Sequence, residues 1–240
     1  MANKEILVRG LTILALVLSV ATLVLLASAG PGTRLGLWSF RTGLGLLRFV
    51  AIGAIAGAAL GVVALVTGGS RLPATLAILL ALAALSVPLL FRHRATSVPA
   101  IHDISTDTDD APKFEAVLAR RTGASNPAEY GGAEIAQQQR QAYPDLQPII
   151  VPDPPPRAFD RALGVVRERG WDLADADPKR GHIEATDTTF WFGFKDDVVI
   201  RIRAEGSGSR IDVRSLSRVG KSDVGTNARR IREYLRRVAG

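Results

Sequence analysis

Between Leu11 and Ala29 no residue is charged, and the same holds from Phe49 to Ser70 and from Leu72 to Phe91. A helix of roughly 20 apolar residues crosses the hydrocarbon layer of a bilayer, so these runs predict three transmembrane helices, at about 7–29, 49–69 and 72–91. A cleaved signal peptide is the alternative for the first run, because Lys4 and Arg9 precede it and "ASAG" at Ala27–Gly30 has small residues suited to cleavage. The run is long for such a peptide, and two more spans follow. An anchored chain is expected either way.

The net charge of +7 would ordinarily direct attention to nucleic acid. Its location argues otherwise. Up to residue 94 the basic residues Lys4, Arg9, Arg34, Arg41, Arg48, Arg71, Arg92 and Arg94 face the single acid Glu5, which accounts for the whole excess. Basic residues at the ends of spans meet lipid headgroups, so the lipid bilayer is the expected partner and nucleic acid is not. Their distribution is uneven, with Lys4, Arg9 and Arg71 on one side and Arg34, Arg41, Arg48, Arg92 and Arg94 on the other. By the positive-inside rule this slightly favours a cytoplasmic C-terminal domain. The absence of cysteine excludes disulfides, thiolate nucleophiles and thiolate metal sites.

Within the second span, Gly53, Gly57 and Gly61 recur at small-xxx-small spacing and line one stripe. That stripe suits packing against the chain's other spans, or alternatively a homo-oligomer. "TGGSRLP" predicts a tight hairpin between spans two and three, and Trp38 beside Arg34 and Arg41 suits the headgroup region.

Residues 95–147 are polar and interrupted by proline. They read as a stalk that wraps the domain, with short helices at "KFEAVLARR" and "AEIAQQQRQAY". The acidic "DISTDTDD" lacks the spacing of a calcium loop and reads as solvated. Residues 148–240 read as a strand at "PIIV", a helix at "DPPPRAFDRALGVVRERG", four strands and a last helix capped by Asp223 or Thr226. The expected fold is therefore α+β: a three-helix transmembrane region followed by an antiparallel sheet domain of order β-α-β-β-β-β-α. Both helices lie on one face, leaving the other available.

Pairing Phe194 with Val198 and Glu205 with Arg210 aligns the apolar residues on one face and predicts a bulge between Ala185 and Phe190. On the other face it sets Arg203 beside Asp212 and places Arg201 between Trp191 and Arg214. Like charges directly opposite need compensation. One source is an anionic ligand held by Trp191, Arg201, Arg214 and Arg218, with Lys221 and Asn227 at the entry to the last helix, because guanidinium forks match carboxylate and phosphate. The other source is the acidic stretch upstream, or solvent. "SLSRVGKS" approaches a phosphate loop, but Ser215 stands where its first glycine is required. The exposed amides before the last helix could nonetheless help hold an anion. No catalytic, metal or cofactor set emerges. If the protein were an enzyme acting on envelope or lipid substrates, Glu184 or Asp187 would be its acid or base, and a raised pKa in a pocket would be needed.

The segments "PAIHDISTDTDDAPKF", "IEATDTTFWFGFKDDVVIRIR" and "SRIDVRSLSRVGKSDVGTNARRIREYL", in that order, resemble the DUF1499 family of bacterial and plastid proteins. The resemblance extends from Pro99 to the C-terminus, and the spans are similar to those of proteobacterial members. No established activity comes with it. Many members are exported or lipid-anchored, which implies a multi-pass protein of the bacterial inner membrane with a periplasmic domain, opposite to the arginine count. Short exported members often carry cysteines that this chain lacks. The functional expectation is a non-catalytic membrane protein binding an anionic small molecule, lipid headgroup or envelope protein on its polar sheet face. An envelope or lipid enzyme and a structural component of a membrane assembly are the alternatives.

Overall fold

The computed structural model describes residues 2–240. It divides into two compact units, one comprising the chain up to His93 together with residues 191–193, the other comprising 94–190 and 194–240.

The first unit holds α1 (Ala2–Arg34), α2 (Phe40–Val66) and all but the last turn of α3 (Arg71–Ser97), three helices each long and apolar enough to cross a membrane. Outward-facing Leu14, Val20, Ile55, Leu79 and Leu82 remain exposed, as lipid-facing residues are expected to be. Inside, the contact surface is made of small residues. A Cβ on Gly53 would stand 2.6 Å from Thr22 Oγ1, and one on Gly57 would stand 2.6 Å from Ser19 Oγ. Gly61 faces α3 instead, where a Cβ would lie 2.6 Å from Ile78. The glycine stripe thus lets α2 approach both neighbours of the same chain. The hydroxyls at the contact are satisfied within α1, since Ser19 and Thr22 donate to the carbonyls of Ala15 and Leu18. Trp38 turns inward in this unit and donates from Nε1 to the Ala29 carbonyl at 3.1 Å.

The second unit is an antiparallel sheet. It contains β1 (Asp103–Ser105), a 3-10 helix (Ala116–Arg120), α4 (Gly132–Ala142), β2 (Ile149–Val151), α5 (Pro155–Glu168), β3 (Asp172–Asp177), β4 (His182–Thr188), β5 (Lys195–Glu205), β6 (Gly208–Ser217) and α6 (Thr226–Ala239). The strands run in the order β1-β6-β5-β4-β3, and β2 also pairs with β6. Prolines at the start of α5 and the αL glycine Gly170 after its end bound that helix as the sequence indicates. Its Ala158, Phe159, Ala162 and Val166 join Ile231, Tyr234 and Leu235 of α6 over Val198, Ile200, Ile202, Ile211 and Val213. Both helices therefore cover one sheet face, as the alternation of these strands requires.

Three details of the predicted sheet need correction. β4 ends at Thr188, and residues 189–194 form a loop rather than strand, with the Thr189 amide donating to the Phe194 carbonyl at 2.8 Å. Thr188 thus pairs with Lys195, and His182 lies opposite Arg201. The change of apolar parity that resembled a bulge marks the strand's end; the observed register shift lies on β3, between Leu173 and Asp175. Secondly, β5 and β6 pair two residues away from the expected alignment, with Glu205 opposite Gly208, Arg203 opposite Arg210 and Arg201 opposite Asp212. A slip of two preserves which residues share a face, so the apolar pattern alone accepts either register. The tight turn selects the observed one, with Gly206 at φ 58°. Finally, the sheet face opposite the helices is covered, because Phe114 and Val117 pack on Val199 and Leu216.

Candidate functional site

The covered face carries the charges that make it the candidate site. Strand alternation places Asp197, Val199, Arg201 and Arg203 of β5 on it, beside Arg210, Asp212, Arg214 and Leu216 of β6 and His182, Glu184 and Thr186 of β4. Four electrostatic groups form there, each closed by residues from the segment upstream of α4 or from the strands themselves.

Arg214 is the most enclosed, with 1% of its surface exposed. It donates from Nε and Nη2 to the two oxygens of Asp103 at 2.9 and 2.8 Å, and also to the carbonyls of Pro112 (3.1 Å) and Ala128 (2.8 Å). The rings of Phe114 and Tyr130 lie 4.8 and 5.3 Å from its guanidinium carbon. Burial, the largest influence, together with Asp103 pushes the Tyr130 phenol up to about 12 against the opposing charge of Arg214. The planar fork of arginine suits this arrangement, since it satisfies a carboxylate on one edge and carbonyls on the others.

Towards the β5–β6 turn, three guanidinium groups converge. Arg201 and Arg203 both approach Asp212 at 3.0 Å, and Arg210 approaches it at 2.9 Å. Asp107 accepts from Arg201 at 3.3 Å and from Arg210 at 2.9 Å. Asp110 accepts from Arg201 at 3.0 Å and from Arg203 at 3.4 Å. Asp107 is itself fixed by accepting from the amides of Asp109 and Asp110. The acidic "DISTDTDD" is therefore largely a set of internal counter-ions, not the solvated loop its composition indicated.

In the third group Asp197 is bound by Arg121 and Arg218, and it accepts from Thr186 Oγ1 at 2.8 Å. The fourth is Glu184, which is 0% exposed. One of its oxygens accepts from the amides of Glu115 and Ala116 and lies 2.7 Å from His182 Nε2, while the other accepts from the Val117 amide. The carboxylate thus ties the start of the 3-10 helix to β4, complementing amides that have no partner within the helix. Burial is the largest single influence and pushes the Glu184 carboxyl upward. The His182 contact and the three amides together outweigh it and hold the group below its ordinary value of 4.5.

A depressed carboxylate pKa fixes the sign of its pH dependence. The stabilisation is fully present above the unfolded value and is lost as pH falls through the folded one. Glu184→Gln is therefore expected to destabilise the domain at neutral pH, with the gap to wild type closing in acid. Thermal unfolding of both proteins across a pH series checks this; a gap that stays constant into acid would show that the charge is unimportant. The same geometry removes the raised pKa that an acid–base role for Glu184 required. Asp187 is likewise engaged, accepting from Arg230 Nε at 2.7 Å.

The residues selected from sequence are not brought to one place. Trp191 belongs to the first unit, half-buried against the cluster around Leu26 and Leu47. Arg201, Arg214 and Arg218 occupy three separate ion-pair groups. Asn227 is buried on the helix side, accepting from Ser215 Oγ at 2.7 Å and donating to the His102 carbonyl at 2.9 Å, while Lys221 is exposed. The stretch between β6 and α6 is a turn, and the N-cap of α6 is Gly225 in the αL conformation, not Asp223 or Thr226. Asp223 accepts from the amides of Gly225 and Asn227, and Ser222 Oγ accepts from Val224 N, so the amides expected to help hold an anion are already engaged. Val224 itself sits at φ 54°, an unfavourable region for a β-branched residue that these bonds hold in place. What sequence reasoning missed is Arg203 and Arg210 as part of the arginine cluster; correct registration of the "GSGS" turn would have placed them opposite one another.

Fold and site together define a class: an α+β domain whose polar sheet face is closed by its own N-terminal segment, carried behind three apolar helices long enough to span a membrane. The pattern described as "Protein of unknown function (DUF1499)" matches residues 103–238, from the first residue of β1 into α6. The chain belongs to the DUF1499 family. No curated protein matches it.

Proposed function

We propose that this protein is a non-catalytic binding module of the bacterial inner membrane, its domain on the periplasmic side, and that it takes an anionic group at Arg201, Arg203 and Arg210. The observation that carries this reading is the asymmetry of their three counter-ions. Asp107 and Asp212 are largely buried, whereas the side chain of Asp110 is 64% exposed. An exposed ion pair contributes about 0–1 kcal/mol, so Asp110 is readily exchanged for an external carboxylate or phosphate. With Asp110 withdrawn, three guanidinium groups face two carboxylates, and the remaining positive charge suits an external carboxylate or phosphate ester. Binding is favoured over catalysis because Glu184 and Asp187 both serve structural contacts. The periplasmic side follows the family's exported members, and a C-terminal alkaline-phosphatase fusion active in cells tests it.

Glycerol phosphate serves as the soluble probe, added to the full-length protein in detergent while the arginine Nε resonances are followed. Asp110→Asn is expected to tighten binding several-fold by removing the competing internal anion, and Arg203→Gln with Arg210→Gln to abolish it. Equal affinity in the wild type and the double-arginine variant would reject the site.

A further inference from the structure

A second cationic feature lies wholly within the membrane unit and is independent of the arginine cluster. Between the first turns of α1 and the loop joining α2 to α3 is a cleft of about 740 Å³. Its mouth carries Lys4, Glu5 and Arg9, and its wall continues along Ile13, Leu16 and Val17. The opposite wall is the turn through Gly68, Gly69 and Ser70. A side chain on Gly69 would stand 2.7 Å from both Thr12 Oγ1 and the Ala64 carbonyl, so the glycine keeps this turn against α1.

Polarity is graded along the cleft. Two cations and one acid stand at the end of the span, where headgroups lie, and apolar side chains follow towards the hydrocarbon. Volumes of a few hundred to a thousand Å³ with an apolar wall and few charged groups are typical of small-molecule sites. The net charge of the mouth is +1, which matches one phosphodiester. A zwitterionic lipid would bring its own cation against Lys4 and Arg9. We infer that this cleft is a binding site for a single anionic glycerophospholipid, its phosphate between Lys4 and Arg9 and one acyl chain along Ile13, Leu16 and Val17.

The test uses the full-length protein purified in detergent containing equal amounts of phosphatidylglycerol and phosphatidylcholine, with retained lipid counted by mass spectrometry after washing. Wild type should retain phosphatidylglycerol in preference. Basic residues near an anionic surface contribute about 1 kcal/mol each, a factor of about five. Lys4→Gln with Arg9→Gln should therefore lower that preference at least fivefold. Both side chains are exposed, so the helix packing is untouched. Leu16→Trp, which fills the apolar wall while keeping the charges, should lower retention of phosphatidylglycerol as well. Arg41→Gln with Arg48→Gln, which removes basic charge away from the cleft, should leave the preference intact. Equal retention of the two lipids by wild type, an unchanged preference in the Lys4/Arg9 variant, or an equal loss in the Arg41/Arg48 variant would each overturn the assignment. None of these outcomes depends on the binding of glycerol phosphate to the domain.

Discussion

Replacing Arg214 by Gln is expected to destabilise the sheet domain by about 3–5 kcal/mol, the range for removing one partner of a buried ion pair. A domain of this size is stable by only about 5–15 kcal/mol, so much of the folded population at growth temperature is at stake. The cost arises from what stays behind. Asp103 is buried on β1 and would lose its guanidinium partner, and the carbonyls of Pro112 and Ala128 would lose their donor. Arg214→Lys should recover little, because one ammonium cannot serve both carboxylate oxygens and two carbonyls in fixed directions. Changing both partners together, Asp103→Leu with Arg214→Met, should be milder than Arg214→Gln alone. Near-UV circular dichroism of the full-length protein during denaturation reports the domain transition. If Arg214→Gln shifted it no more than Arg236→Ala on the exposed side of α6, the buried pair would not be the fastener it is taken to be. The arginine is thus a structural residue, and an experiment treating it as a ligand contact would measure unfolding.

The second large effect belongs to the membrane unit. Gly57→Leu should separate α1 from α2, because a Cβ there would already stand 2.6 Å from Ser19 Oγ and in van der Waals contact with the Ser19 backbone, leaving no space for the rest of a leucine side chain. Overpacking of a well-filled contact costs about 1–3 kcal/mol, occasionally more, and between spans there is no compensating hydrophobic gain. Gly45→Leu is the matched control, since nothing lies within 4 Å of a Cβ there. The expected result is a lower thermal-aggregation midpoint in detergent for Gly57→Leu and an unchanged one for Gly45→Leu. A stripe serving a homo-oligomer would behave differently, with Gly57→Leu altering the oligomeric state while the monomer kept its stability.

Both cases show how far local pattern reaches. Hydropathy is a property of neighbouring residues, and a helix in lipid satisfies its own backbone, so three uncharged runs were enough to define three spanning helices. The glycine stripe on α2 was equally plain, and only its assignment to α1 and α3 waited on the structure. In the sheet domain, prolines and glycines delimited α5, and alternation identified the apolar faces of β5 and β6. Alternation has a period of two, so it could not distinguish Glu205 opposite Arg210 from Glu205 opposite Gly208. The aromatic residues Phe190, Trp191 and Phe192 imitated strand where the chain forms a loop.

The charged face was the least legible part. Asp103 meets Arg214 and Asp107 meets Arg210 across more than 100 residues of chain, and Glu184 meets the amides of the 3-10 helix from nearly 70 residues away. No periodicity links such positions. By itself the sequence determined that three helices are long and apolar enough to span a membrane, the limits of α5, the two-faced character of the strands and the membership of its family, because each is encoded by residues close together along the chain. The tertiary structure alone decided that "DISTDTDD" enters the sheet as β1 and then turns so that its carboxylates neutralise the arginines. Pairing of that kind depends on which distant segments meet, and that follows from packing the whole domain.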